Sequence, residues 1–193
     1  MTAEQFWKKF KENICGNEEL SNVWNNTKEF TRLIMNQLDE KILASDSLEE
    51  IKTEREYFRI DLISYKDTSK NKISCGKLQN CSWDLIAAVE HENDSRLWVD
   101  EVVKLAHIAC PLRVVIGYLP KKQKDIQIAH SKYLKKVTET LNQIDAWKYT
   151  SKYGDYLIII GDCELSKNDI KCSYTPYLYE QKSQSFEYKR DWQ

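Results

Sequence analysis

Apolar positions recur along this chain with two different periods, and the change from one to the other divides it. Phe6, Trp7, Phe10 and Ile14 repeat at helical spacing, and Leu20, Trp24, Phe30, Ile34, Leu38 and Ile42 continue that period beyond the break at Cys15-Gly16-Asn17. The pattern predicts an N-terminal helical hairpin or pair. Ser45-Asp46-Ser47 punctuates it, and the charged stretch Glu49 to Glu56 reads as a short helix or turn. Strand formers then run from Tyr57 to Tyr65, a polar loop follows from Lys66 to Asn80, and Trp83 to Glu92 has the apolar middle of a buried strand.

Asn93-Asp94-Ser95 offers capping side chains for a helix from about Arg96 to Ala109, with Trp98, Val102, Leu105, Ala106 and Ala109 on one face. Pro111 stops it. Leu112 to Tyr118 is a continuous apolar strand, Pro120 opens a helix predicted to run through about Trp147, and Tyr156 to Ile160 is another buried strand. Tyr174 to Tyr179 and Phe186 to Tyr188 read as edge strands. Apolar strands alternating with helices predict an α/β fold, a mixed central β-sheet flanked by helices, with the helical hairpin in front. The expected layout is a single domain over 1–193, with helices in 1–45, a core in 50–162 and an extension in 163–193.

Composition narrows the classes. At 193 residues, 41% hydrophobic and 31% charged, the chain suits one globular domain. No apolar run approaches the roughly 20 residues that cross a bilayer, and Met1 to Phe10 has no signal-peptide core. A cytoplasmic protein without a membrane partner is expected. The five Gly show no G-x-G spacing, which excludes dinucleotide and P-loop motifs. Six Cys, none in C-x-x-C, read as reduced thiols, with Cys110 and Cys163 as small core residues.

Candidate chemistry centres on the end of the 83–92 strand. Residues two apart share a strand face, so Glu90 and Glu92 point one way and His91 the other. Ending a buried strand in Glu-His-Glu sets charge where burial penalises it. Asp61 interrupts the apolar run of the preceding strand, and antiparallel pairing would bring it beside Glu90. Carboxylates gathered in this way repel unless a cation neutralises them, which suggests an oxygen-lined site for Mg²⁺ or Mn²⁺. The alternative pairs Asp61 with Arg59 or Arg113 and leaves Glu90 and Glu92 on a solvated strand end.

The strand Asp in Ile60 to Tyr65, the acidic close of Leu85 to Asn93, the helix Ser95 to Ala109 and the strand Leu112 to Tyr118 resemble the PD-(D/E)XK nuclease superfamily, whose fold is restriction-endonuclease-like. The resemblance covers about residues 50 to 118. It implies a divalent-metal-dependent nuclease acting on phosphodiester bonds, in DNA first and RNA as the alternative, and is compatible with a homodimer. By position Asp61 would match the metal-binding Asp and Glu90 the acidic residue of the (D/E)-x-K element. Glu92 stands where Lys is usual. Lys104, on the following helix, is a candidate for the displaced positive charge, and its bland alternative is a surface ion pair with Glu101. Glu54 or Glu56 could add an acidic ligand. A binding module that keeps the fold without the chemistry is the rival reading.

Charge bears on the partner. Lys plus Arg number 29 against 30 Asp plus Glu, so the total gives no sign of a polyanion. Lys121, Lys122, Lys124, Lys132, Lys135 and Lys136 against Asp125 put +5 on sixteen residues, the candidate nucleic-acid-binding stretch, with a solvated face as the alternative. Lys66, Lys70, Lys72 and Lys77 are a second basic group. His91, His107 and His130 read as surface or core-edge histidines, and the many Tyr and Trp form no stacking platform visible in the spacing.

Overall fold

A computed structural model describes residues 1–44, 51–67, 83–119, 125–165 and 170–192, with the side chains of 163–165 and 170–172 left aside. Cys75, Cys81, Lys70, Lys72, Lys77, Lys121, Lys122 and Lys124 lie outside those residues. The amphipathic N-terminal segment forms three helices instead of a pair: α1 (Ala3–Asn13), α2 (Glu18–Val23) and α3 (Thr27–Gln37), the last widening into a π-helical turn at Leu38–Leu43. A capping box between Thr2 and Gln5 starts α1. Asn17 and Asn26 each accept a hydrogen bond from the first turn that follows, which splits the apolar run into α2 and α3.

Seven strands among the described residues form one mixed sheet whose spatial order follows the chain: β1 (Ile51–Tyr57), β2 (Ile60–Asp67), β3 (Trp83–Glu92), β4 (Leu112–Tyr118), β5 (Asp155–Leu165), β6 (Ile170–Glu180) and β7 (Ser185–Tyr188). β1, β2 and β3 are an antiparallel meander, β3, β4 and β5 run parallel, and β6 and β7 return antiparallel. The stretch before Tyr57, expected as helix or turn, is therefore β1. Its side chains are exposed or half-buried throughout, so as an edge strand it lacks the apolar alternation that identifies a strand in sequence.

Parallel neighbours need crossovers. α4 (Trp98–Ala106) joins β3 to β4, while α5 (Ile126–Leu141) and the single turn α6 (Trp147–Thr150) join β4 to β5. Two crossovers of the usual hand stepping in one direction fall on the same face of a sheet. Trp98, Val102, Leu105, Leu134, Val137 and Trp147 accordingly pack on Ala88, Val115 and Ile158. The N-terminal helices cover the opposite face, where Phe6, Phe10, Phe30 and Ile34 meet Leu62, Val89, Val114 and Ile159. α4 begins two residues later than expected and without a side-chain cap, since Asp94 turns instead to Arg96. Among the described residues no helix is long and apolar enough to cross a membrane.

Candidate functional site

β2 enters the sheet where β3 leaves it. Leu62 pairs with Val89, which sets Asp61 and Glu90 opposite one another one step further on, at the carboxyl end of β3. In open α/β sheets that edge is where ligands gather. Asp61 is half-buried, and its Oδ2 accepts a hydrogen bond of 2.8 Å from the His91 backbone N–H. Glu90 is only 1% exposed.

Lys104 supplies the positive charge. Its Nζ stands 2.8 Å from Glu90 Oε1, pairs also with Glu101 one turn earlier on α4, and donates to the Arg59 carbonyl at 2.7 Å. An ammonium has three N–H donors, and three oxygens surround this one. Lys104 makes the expected i, i+3 pair with Glu101, and it also reaches across to Glu90 on β3.

The electrostatics follow from burial. Desolvation pushes the Glu90 carboxyl up to about 9, with the Lys104 hydrogen bond opposing it and the charges of Asp61 and Glu101 adding to it. Asp61 is likewise raised by burial, against the His91 N–H and Lys104, while Glu56 and Glu101 push it further up. Burial alone would lower Lys104, but its hydrogen bonds and ion pairs with Glu101 and Glu90 prevail and hold it above the usual lysine range.

The structure thus brings Asp61, Glu90 and Lys104 together and adds Glu101, which the sequence offered only as a surface partner. Glu56 lies near enough to act on Asp61, from an edge strand and not from a helix. Glu92 is engaged locally: its Oε1 accepts from the Asp94 backbone N–H at 2.7 Å and so closes the turn after β3. Arg113 does not pair with Asp61. It is fully buried between the rings of Trp147 and Tyr156, each 5.2 Å from its guanidinium carbon, and donates to the Gly154 carbonyl. Among the described residues no three His, Cys, Asp or Glu side chains are grouped as a metal site as they stand.

His91 faces the other side of the sheet, as strand parity requires. It packs on Phe30, and its Nε2 lies 3.0 Å from the Tyr118 hydroxyl. Burial holds its pKa down at about 3. Lys132, Lys135 and Lys136 are exposed on α5, with Lys135 3.9 Å from Glu139.

Two arrangements had no signal in the sequence spacing. His130 on α5 is buried between Asp162 and Tyr177: its Nε2 lies 2.9 Å from Asp162 Oδ2 and its Nδ1 2.6 Å from the Tyr177 hydroxyl. Asp162 and Tyr177 lie 32 and 47 positions from His130, beyond the reach of any local pattern. The second is an aromatic row on β1, β2 and β3. Tyr65 and Trp83 stack at 3.5 Å, Tyr57 lies 5.4 Å from Trp83, and Phe58 meets Tyr57 edge-on at 4.7 Å.

Compared with known proteins, the chain matches no family model and has no significant match among curated proteins or solved structures.

Proposed function

We propose that this chain is a divalent-metal-dependent nuclease of restriction-endonuclease-like architecture that hydrolyses phosphodiester bonds, with DNA as the preferred substrate. One observation carries the reading. An antiparallel meander followed by a helix and a parallel fourth strand sets an Asp at the start of β2 opposite a buried Glu at the end of β3, with a lysine from the intervening helix 2.8 Å from that Glu. The lysine expected two residues after Glu90 is replaced in position by Lys104, which reaches the same carboxylate from α4.

The donor chemistry fits a hard cation. Asp61 and Glu90 offer only oxygens, and a buried carboxyl that resists ionisation gains most from a neighbouring positive charge. Asp61 and Glu90 would hold the ion, with Glu101 the nearest further carboxylate. When bound, a divalent ion lowers the pKa of water and offsets charge on a phosphate. The protein's own contribution is to fix both carboxylates on adjacent strands and to hold the positive charge of Lys104 beside them, where it would offset charge that grows on the phosphate oxygens.

The Lys104 pairs also favour a second reading. An ammonium already balances Glu90 and Glu101, which is what a non-catalytic binding module on this fold would need. Calorimetric titration of Mn²⁺, together with cleavage of plasmid and oligonucleotide DNA, separates the two. The nuclease reading expects Mn²⁺ binding and Mg²⁺- or Mn²⁺-supported cleavage, Ca²⁺ binding without turnover, and a loss of at least about 100-fold in Asp61→Ala or Glu90→Ala. Lys104→Met should retain Mn²⁺ and lose turnover. Absence of Mn²⁺ binding by the wild type would establish the binding module.

A further inference from the structure

The β1–β2 hairpin breaks a local rule beside the carboxylates. Tyr57 pairs with Ile60, so Phe58 and Arg59 are the two central residues of the turn, and both take positive φ, +48° and +65°. Turns of that form favour Asn-Gly, because a side chain carrying a Cβ is crowded in the left-handed region. Glu56, just before, also has positive φ, at +56°. An aromatic residue here gains little from burial, since Phe58 is 75% exposed and its ring contact is the edge-on one with Tyr57. Strain with so small a packing return concentrates at functional positions.

What surrounds the turn indicates what it serves. The Arg59 carbonyl is one of the three oxygens that hold Lys104, so the strained tip is tied to the acidic cluster. From Phe58 an aromatic row leads away from that cluster through Tyr57 and Trp83, both half-buried, to Tyr65, which is buried and backs Trp83. Arg59 lies exposed next to Phe58 and carries the charge a phosphate would meet. Paired bases stacked inside a duplex present no face to such a row. Unpaired bases do, and stacking on aromatic rings is how sequence-tolerant single-strand binders hold them.

We propose that Phe58, Tyr57 and Trp83 form a stacking platform for an unpaired DNA strand, delivering its backbone to the site at Asp61, Glu90 and Lys104. This rests on the nuclease reading and narrows its substrate to single-stranded or splayed DNA. Phe58 is then a specificity residue whose strain is retained for contact with a base.

The test compares fluorescein-labelled forked and fully paired duplexes of equal length by anisotropy in Ca²⁺, using wild type, Phe58→Asn, Phe58→Trp and Asp61→Ala. Wild type should prefer the fork. Phe58→Asn should lose that preference by about 5- to 150-fold, the range for one base–aromatic stack, while unfolding at a higher denaturant concentration, since Asn tolerates the turn. Phe58→Trp should keep the preference. Phe58 in a merely structural role would show the opposite, with Phe58→Asn less stable and the fork preference unmoved, and that result overturns the proposal. Equal binding of fork and duplex by the wild type overturns it as well. Asp61→Ala distinguishes the two claims: fork preference retained in a protein whose wild type binds no Mn²⁺ and cuts nothing would sustain the platform and remove the nuclease. A labelled single-stranded RNA of the same sequence, bound more tightly than the DNA, would reject DNA as the occupant.

Discussion

Glu90 and His91 are adjacent on β3, on opposite faces, and burial acts on them in opposite directions. His91 titrates at about 3 in the folded protein against about 6.5 unfolded. Below pH 6.5 the unfolded chain takes a proton that the folded one refuses, so stability is complete above 6.5 and falls as pH drops towards 3. Glu90, raised to about 9, does the reverse: its contribution is complete below about 4.5 and declines as pH rises through 9. The two oppose one another between 4.5 and 6.5. A Glu90→Gln background isolates the histidine, and urea unfolding there should show a loss of about 2 kcal/mol between pH 7 and pH 5. Adding His91→Gln should remove the loss, and a loss that persists would show that His91 is not its source. The alternating faces of this strand were legible in the sequence because strand parity is local. The partners were less so: Glu92 and Glu90 share a parity, yet a backbone N–H two residues on claims Glu92.

Elements were legible where burial imposed a period and not where it did not. β3 and β4 have the bounds their apolar runs predict, and β5 begins within one residue of its apolar run but continues five residues past it, through Gly161 and Asp162 to Leu165. β1 was not legible, because an edge strand with charged side chains on both faces carries a helix-like composition. The helix expected from Pro120 to Trp147 is split at residues 142–146, which lets α6 turn Trp147 under Arg113. The joints between elements show in the glycines. Gly154 leads into β5 against the start of β4, and an added Cβ would come within 2.0 Å of the Pro111 carbonyl oxygen, backbone that cannot swing aside. The same oxygen accepts from Asp155 N–H at 2.8 Å, holding the first residues of both strands together. Gly16, by contrast, has φ +76° with nothing within 4 Å of its absent Cβ. Gly16→Ala should therefore cost about 1–2 kcal/mol through backbone strain alone. Gly154→Ala should cost at least about 3 kcal/mol, or prevent folding. Denaturant midpoints of the two variants test the ranking, and equal midpoints would show that the β4–β5 joint yields.

At the scale of the molecule, a chain of net charge −1 must hold a polyanion if it is a nuclease, and only local charge can do so. α5 lies beside α4, where Tyr133 meets Trp98 at 5.7 Å, so both helices cover the same side of the sheet. Lys132 and Lys136 are one turn apart and Lys135 adjoins them, all exposed. Glu139 is 3.9 Å from Lys135 at the surface, a pair too weak and too solvated to hold that lysine from a phosphate. Each phosphate contact contributes about −0.9 to the slope of log K against log salt on duplex DNA, and about −0.7 on single strands. If all three lysines touch backbone, Lys132, Lys135 and Lys136 changed together to Gln should flatten the slope by about 2.7 on a duplex or about 2.1 on a single strand. Anisotropy in Ca²⁺ across a salt series measures it, and the size of the change reports which form of DNA lies along α5. Because stacking is largely insensitive to salt, Phe58→Asn should lower affinity at every salt concentration and leave the slope unchanged. A triple variant with the wild-type slope would show α5 to be a solvated face and would leave the hairpin side of the sheet, with Arg59, as the route by which the strand enters.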